Sequence, residues 1–392
     1  MFVYLDNSAT TRQFDAVTDA MLRVMRETFG NPSSLHRMGV TAEKTVKEAR
    51  KAAALSLGVK DSTLYFTSGG TEGDNTVLFG GAAAGRHRGK TILTTAIEHP
   101  AVLEPCKRLE NMGYNVKYLE VDRDGRLQPE TLRAALDEDV ILVSVMWVNN
   151  ELGTIQPIEE LAALTKAHGE ALFHSDAVQA WGKLSLQIPD AVDFVTVSGH
   201  KIHGPKGIGA LYVKAGRHLE PYLCGGGQEK GFRSGTENVP AIAGLGEAAA
   251  ILNRDGVGMM ERMAKAKACL LEGITAEIPD VLVNSPAEGC APSVLNVSFL
   301  GCRGEVLLHT LEQKEIYVST GSACSSNTKK KGSHVLHAIG LPADAVEGAI
   351  RFSFSPENTE TQMEYVVQEL KTAVSGMRKL MKYSPAGKAG RK

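Results

Sequence analysis

Seven short runs of strand-like residues constrain this chain more than any other feature. They lie at 63–66, 91–95, 116–119, 141–148, 171–175, 194–198 and 210–213, and helical patterns at 71–84, 101–112, 129–137 and 157–168 separate several of them. The runs do not alternate apolar with polar, as half-exposed strands do. Strands covered on both faces read this way, and a β-α-β connection is what covers them. The chain is therefore expected to be an α/β protein with a mostly parallel, seven-stranded sheet sandwiched by helices. Before the first run, 42–57 reads as a helix with Val46, Ala49, Ala53 and Leu57 on one face and Gly58 as its stop. After about residue 245 the texture changes to a helix at 245–276, strands at 294–299 and 350–354, a helix at 303–312 and another at 359–382. That is the pattern of a smaller α+β unit. The expected domains are 15–245 and 1–14 with 246–392, and a length of 392 residues suits two.

Composition removes several classes of function. Lys plus Arg number 43 and Asp plus Glu 45, so a net charge of −2 provides no overall attraction to nucleic acid or anionic membrane. The longest strongly apolar run, 141–148, is far too short to span a bilayer. The opening MFVYLDNSATT carries no secretory pattern. None of the six cysteines forms a CxxC, so a disulfide framework or structural zinc site is not expected, and the cytoplasm is the expected compartment.

Chemistry-bearing residues gather at the ends of the strand runs. Lys201, in SGHK after 194–197, sits among small residues where a desolvated amine can form a Schiff base; a surface loop lysine is the plain alternative. Asp176, in SDAVQ, can hold a proton on a pyridine nitrogen, the pairing that makes pyridoxal phosphate an electron sink, or can simply cap a helix. Gln179 can bond the ring oxygen of such a group. TSGGTE at 67–72 precedes a helix, where free N–H groups and the helix dipole favour phosphate. His99, in EHP, can stack on a ring and move protons, although a lone histidine is more often structural. Cys324 lies in STGSACSS, a loop of small residues suited to swinging a thiol toward a substrate; a small buried thiol is the alternative. Arg351, inside the apolar run AIRFS, needs a partner, either a substrate carboxylate or an internal acid. Lys329, Lys330 and Lys331 read first as a solvated run and second as a patch that steers an acidic partner.

Taken together, these segments resemble the cysteine desulfurases of the NifS/IscS family, fold-type-I pyridoxal-phosphate enzymes with a class-V aminotransferase-like chain. The resemblance runs through YLDNSATT (4–11), FGNPSSLH (29–36), TSGGTEGDN (67–75), EHPAV (98–102), VNNELGTIQPI (148–158), HSDAVQ (174–179), SGHKIHGPKGIG (198–209), GGGQEKGFRSGTENVP (225–240), SACSS (322–326) and IRFSF (350–354). The extended cysteine loop resembles that of the family's first group.

The resemblance implies a role for each matching residue. Lys201 carries the cofactor, while Gly70, Thr71, Ser198 and His200 hold its phosphate. Asp176 pairs with the pyridine nitrogen, His99 stacks on the ring, Gln179 meets its 3-oxygen, and Asn149 and Arg351 bind the substrate carboxylate. Cys324 is the nucleophile that receives sulfur, with Lys201 and His99 handling protons. Thr236 resembles the residue that reaches the phosphate of a second subunit, which implies a homodimer. The implied reaction converts L-cysteine to L-alanine and a persulfide on Cys324. A sulfur acceptor then takes that sulfur for iron–sulfur cluster assembly or for tRNA or cofactor thiolation. No metal of its own is implied, although the persulfide can transiently share a cluster with a scaffold partner. No direct contact with nucleic acid or membrane is expected. A selenocysteine lyase or another enzyme of the same fold, such as an aminotransferase, is the alternative.

Overall fold

The computed structural model describes residues 1–320 and 332–383. In chain order its elements are β1 (Val3–Tyr4), α1 (Asp15–Glu27), α2 (Arg37–Ser56), β2 (Leu64–Thr67), α3 (Gly70–Gly85), β3 (Thr91–Thr95), α4 (Pro100–Asn111), β4 (Asn115–Leu119), α5 (Pro129–Ala135), β5 (Val140–Ser144), α6 (Ile158–His168), β6 (Leu172–Asp176), β7 (Phe194–Ser198) and β8 (Gly209–Val213). There follow α7 (Val239–Glu277), β9 (Val281–Val283), β10 (Val294–Phe299), α8 (Gly304–Glu312), β11 (Ile316–Tyr317), α9 (His334–Ala338), α10 (Ala343–Glu347), β12 (Ala349–Ser353) and α11 (Glu360–Leu380).

The fold is α/β, and the expected seven-stranded sheet is present in the order β2-β8-β7-β6-β5-β3-β4. Only β8 runs against its neighbours; β3 through β7 pair in parallel. The residues explain why both faces are covered. Leu93, Val143, Phe173 and Val195 pack into one hydrophobic cluster with α2, α6 and the first half of α7. Their strand neighbours Ile92, Leu142, Leu172 and Phe194 pack into another with α3 and α4. Successive strand residues thus enter opposite cores, so apolar residues follow one another along the strands, and the buried polar ones cluster toward the strand ends that carry the site.

A third cluster joins β10, β12, α8, α11 and the second half of α7 with Val3 and Leu5. Here the order is β12-β10-β9, antiparallel, while β1 pairs in parallel with β11.

Several boundaries differ from the sequence reading. The run at 141–148 ends as a strand at Ser144: the Val145 and Trp147 N–H groups still donate to the His174 and Asp176 carbonyls of β6, but the Met146 N–H turns to the Glu98 carboxylate. The helix expected to begin at 245 begins at Val239, where the Asn238 side chain accepts from the Ala241 N–H and Pro240 occupies the first turn. That single helix runs through the expected 245/246 division. No helix of the described residues is long and apolar enough to cross a membrane.

Candidate active site

Lys201 lies in the short turn at the end of β7 and is nine-tenths buried. Its Nζ donates to the carbonyls of Ser8 and, at 2.8 Å, Ala9. The N-terminal segment 6–11 therefore closes over the lysine. Thr11 fastens it through its Oγ1–H to the His200 carbonyl at 2.9 Å, and Asn7 through its Nδ2–H to the Ser353 carbonyl at 2.8 Å. Gln179 donates through Nε2 to the Ser8 carbonyl at 2.9 Å. His200 Nδ1 lies 3.1 Å from Thr10 Oγ1. Strand ends at β6 and β7 thus meet a segment nearly two hundred residues away in the chain.

Asp176 ends β6, fully inside the protein, and its Oδ1 accepts from the Val178 N–H at 2.9 Å. Burial pushes its carboxyl up to about 6, opposed by that N–H and by the Lys201 charge. His99 caps α4, and its Nδ1 accepts from the Ala101 N–H at 3.1 Å. Burial, then the charges of Lys201 and His334, hold its imidazole down to about 4. At neutral pH the ring is uncharged, and the Nδ1 contact leaves its proton on Nε2. His200 is likewise held down to about 4, by burial first and then by Lys201.

The turn before α3 faces the same place. Gly69 has φ +155° and no side chain caps the helix that follows. A Cβ on Gly70 would lie 2.8 Å from Val178 Cγ2, and one on Gly69 would lie 3.9 Å from Ser198 Oγ. Ser198 is buried, Gly70 partly exposed and Thr71 exposed. The structure thus brings Gly70, Thr71, His99, Asp176, Gln179, Ser198, His200 and Lys201 around one place.

These residues fit pyridoxal phosphate on three counts. An uncapped helix N-terminus offers N–H groups with no Cβ in the way at Gly70, which suits a phosphate. A buried carboxylate near an ammonium suits a protonated pyridine nitrogen. Gln179 Oε1 is a buried acceptor with no partner among the described residues, which suits a ring hydroxyl.

The remaining residues stand apart from that cluster. Arg351 on β12 donates from Nη2 to Asp6 Oδ1 at 2.8 Å and from Nη1 to the Asn150 carbonyl at 3.2 Å, while its buried Nε has no partner among the described residues. Asn149 is fully buried, and its amide is committed to a turn: Oδ1 accepts from the Glu151 and Leu152 N–H groups, and Nδ2 donates to the Ile97 carbonyl at 3.0 Å. Thr236 is exposed, and no hydrogen bond of the described residues joins it to the cluster. Cys324 and Lys329 to Lys331 lie outside the described residues.

Sequence reasoning passed over four buried groups under the site. Asp74 is fully buried and pushed up by burial, with Asp176 and Glu98 adding to the shift. Glu98 is pushed up to about 8 by burial, while accepting from Thr95 Oγ1 and the Met146 N–H. His174 is held down to about 3 by burial, between Ser144 Oγ at 2.9 Å and Thr196 Oγ1 at 3.0 Å. Lys183 is the fourth. The only signal was a polar letter inside or beside an apolar run.

The Aminotransferase class-V family model matches residues 3–366. The cysteine desulfurase IscS of Methanosarcina thermophila is 43% identical over 98% of this chain and 94% of its own. That of Dictyoglomus turgidum is 40% identical over all of this chain and 99% of its own. Among solved structures, a NifS-like protein superposes with a TM-score of 0.90 at 40% identity, over 96% of this chain and all of that one. SspA in complex with cysteine superposes with a TM-score of 0.79 at 34% identity, over 91% and 100%. The chain belongs to the class-V aminotransferases, a family of pyridoxal-phosphate enzymes. Within it, the chain is one of the cysteine desulfurases.

Proposed function

We propose that this enzyme removes sulfur from L-cysteine, releases L-alanine and keeps the sulfur as a persulfide on Cys324 for a protein acceptor. The observation that carries the reading is the meeting of Lys201, Asp176 and His99 beside the uncapped α3 N-terminus. Gly70, Thr71, Ser198 and His200 would hold the phosphate of pyridoxal phosphate, with Thr236 of a second copy. Asp176 would hold the ring nitrogen and Gln179 Oε1 the 3-oxygen. Pyridoxal phosphate, when bound, supplies an electron sink for negative charge at the substrate α-carbon.

The chain's residues do the rest. Arg351 orients the substrate carboxylate through its fork of donors. The Asn149 turn, which holds the Asn150 carbonyl against Arg351, supports that orientation. Lys201 takes the α-proton at Nζ. His99, neutral and carrying its proton on Nε2, returns a proton to carbon. The Cys324 thiolate attacks the substrate sulfur: an S–S bond forms, the C–S bond breaks, and its electron pair stays with carbon, which protonation completes as alanine.

A homodimer belongs to the same proposal. Thr236 is exposed, and so are the apolar side chains of Leu22, Met25, Phe29, Leu35 and Met38, a face that a second copy would cover. The domains 15–245 and 1–14 with 246–392 are proposed too; the separate hydrophobic clusters around the two sheets support two units, with Ala248, Ala249, Leu252 and Met259 packing on the first. Five free thiols among the described residues support a reducing compartment such as the cytoplasm. The acceptor is proposed to serve iron–sulfur cluster assembly or tRNA thiolation.

The test measures alanine and sulfide from L-cysteine plus reductant, with the cofactor absorption recorded, for wild type and Cys324→Ala. The variant is expected to keep the absorption band and lose both products. A variant that makes both at the wild-type rate removes Cys324 as nucleophile and the desulfurase mechanism with it.

A further inference from the structure

We propose that Lys183 is a positioning residue for the Lys201 amine: its ammonium grips the Lys201 backbone carbonyl from inside the protein, and its charge favours the unprotonated Lys201 nitrogen. The inference rests on the cofactor reading above and deepens it.

Lys183 is 4% exposed, and its Nζ donates to the Lys201 carbonyl at 2.5 Å. The segment that delivers it is rigid. Trp181 N–H and Lys183 N–H close turns on the Ala177 and Ala180 carbonyls, and Trp181, itself buried, donates from its indole N–H to Ser56 Oγ at 3.0 Å. Gly182 has φ +72°, and a Cβ there would lie 2.9 Å from Ile202 and 3.1 Å from Leu252. The same short segment therefore runs from Asp176 to the back of Lys201.

What faces the ammonium is basic or apolar. Lys201, His200 and His203 come from the turn after β7, with Arg12 beyond His203, and α7 packs Leu252 against the neighbouring Gly182. No carboxylate of the described residues forms an ion pair with it. Burial, then the Lys201 charge, push its ammonium down to about 7. A buried cation without a counter-ion is costly, and a packed apolar side chain would occupy the place at lower cost. A lysine set beside another cationic group has a more available lone pair, which is what a Schiff-base amine requires.

The test is a pH titration of the cofactor absorption in wild type, Lys183→Met and Lys183→Arg, with folding checked by circular dichroism. Lys183→Met is expected to fold, to bind cofactor and to move the titration midpoint up by about one pH unit, the size of a single nearby charge. Lys183→Arg, charged at every pH, is expected not to move the midpoint up. A folded Lys183→Met with an unmoved midpoint overturns the proposal. So does equal displacement in both variants, or loss of the fold in Lys183→Met, because either makes the role one of packing. A wild type with no absorption band would sink the cofactor reading instead. The titration of the Lys201 side chain, read by NMR of lysine-labelled protein in wild type and the two variants, decides the Lys183 claim in its place.

Discussion

The Arg351 guanidinium lies 2.8 Å from the Asp6 carboxylate, joining the middle of β12 to the segment whose next residues, Ser8 and Ala9, hold Lys201. The Arg351 Nε is also buried and has no partner among the described residues. It is therefore both a clasp and a donor in reserve. Arg351→Lys keeps the charge but loses the planar fork, so KM for L-cysteine is expected to rise about tenfold or more while kcat changes less. Steady-state kinetics check it, and an unchanged KM would remove Arg351 from substrate binding. Asp6→Asn leaves the guanidinium without its counter-charge and is expected to cost about 1–3 kcal/mol in denaturant unfolding.

Glu98 sets a pH dependence of stability. Its carboxyl is held up at about 8 in the folded chain by burial, against an ordinary value near 4.5. The folded state therefore binds more protons between those values. Its contribution is fully present below about 4.5 and is lost as pH rises through about 8. Glu98→Gln mimics the protonated acid. It is expected to change little at pH 5 and to stabilise by on the order of 2–3 kcal/mol at pH 8. Urea unfolding at the two pH values measures this, and an equal effect at both would be evidence against it.

Gly70 is tested by adding a single carbon. A Cβ there meets Val178 Cγ2 at 2.8 Å, so either the α3 N-terminus or Val178 must move. Gly70→Ala is expected to weaken cofactor binding about tenfold, the effect of a small displacement at an N–H anion site. Val178→Ala in the same chain is expected to restore most of it. Cofactor titration of the four combinations gives the coupling directly, and additivity would break the argument.

The proposed composite sites predict complementation. Lys201→Ala and Thr236→Asp are each expected to be inactive, the second because a negative charge would face the phosphate under that proposal. Unfolded together and refolded, they are expected to regain about a quarter of wild-type activity, since half of the dimers carry one intact site of two. No recovery, with dimers present by sedimentation, would place Thr236 in its own subunit's site or in none.

The strands that carry the site were legible because they are covered on both sides. Residues 194–198 and 171–175 read as strand-like runs, and beyond their ends stood Lys201 and Asp176. The resemblance added what spacing did not: roles for Asn149 and Thr236. Helix α1 went unread, although Val17, Ala20 and Val24 line its buried face. Its exposed Leu22 and Met25 blur the period that would have announced it.

The sequence by itself determined the layered architecture, the strand ends and the set of polar side chains placed there, because periodicity and turn chemistry are local. Only the tertiary structure decided which polar groups are desolvated. Asp74, Glu98, His174 and Lys183 are single letters whose burial depends on what the rest of the chain lays over them. Whether Lys201 meets Ser8, or Arg351 meets Asp6, is likewise set by contacts across nearly the whole chain. Charge states in this site follow from those contacts, since the cost of ionising a group depends on the water removed from around it and on the charges left beside it.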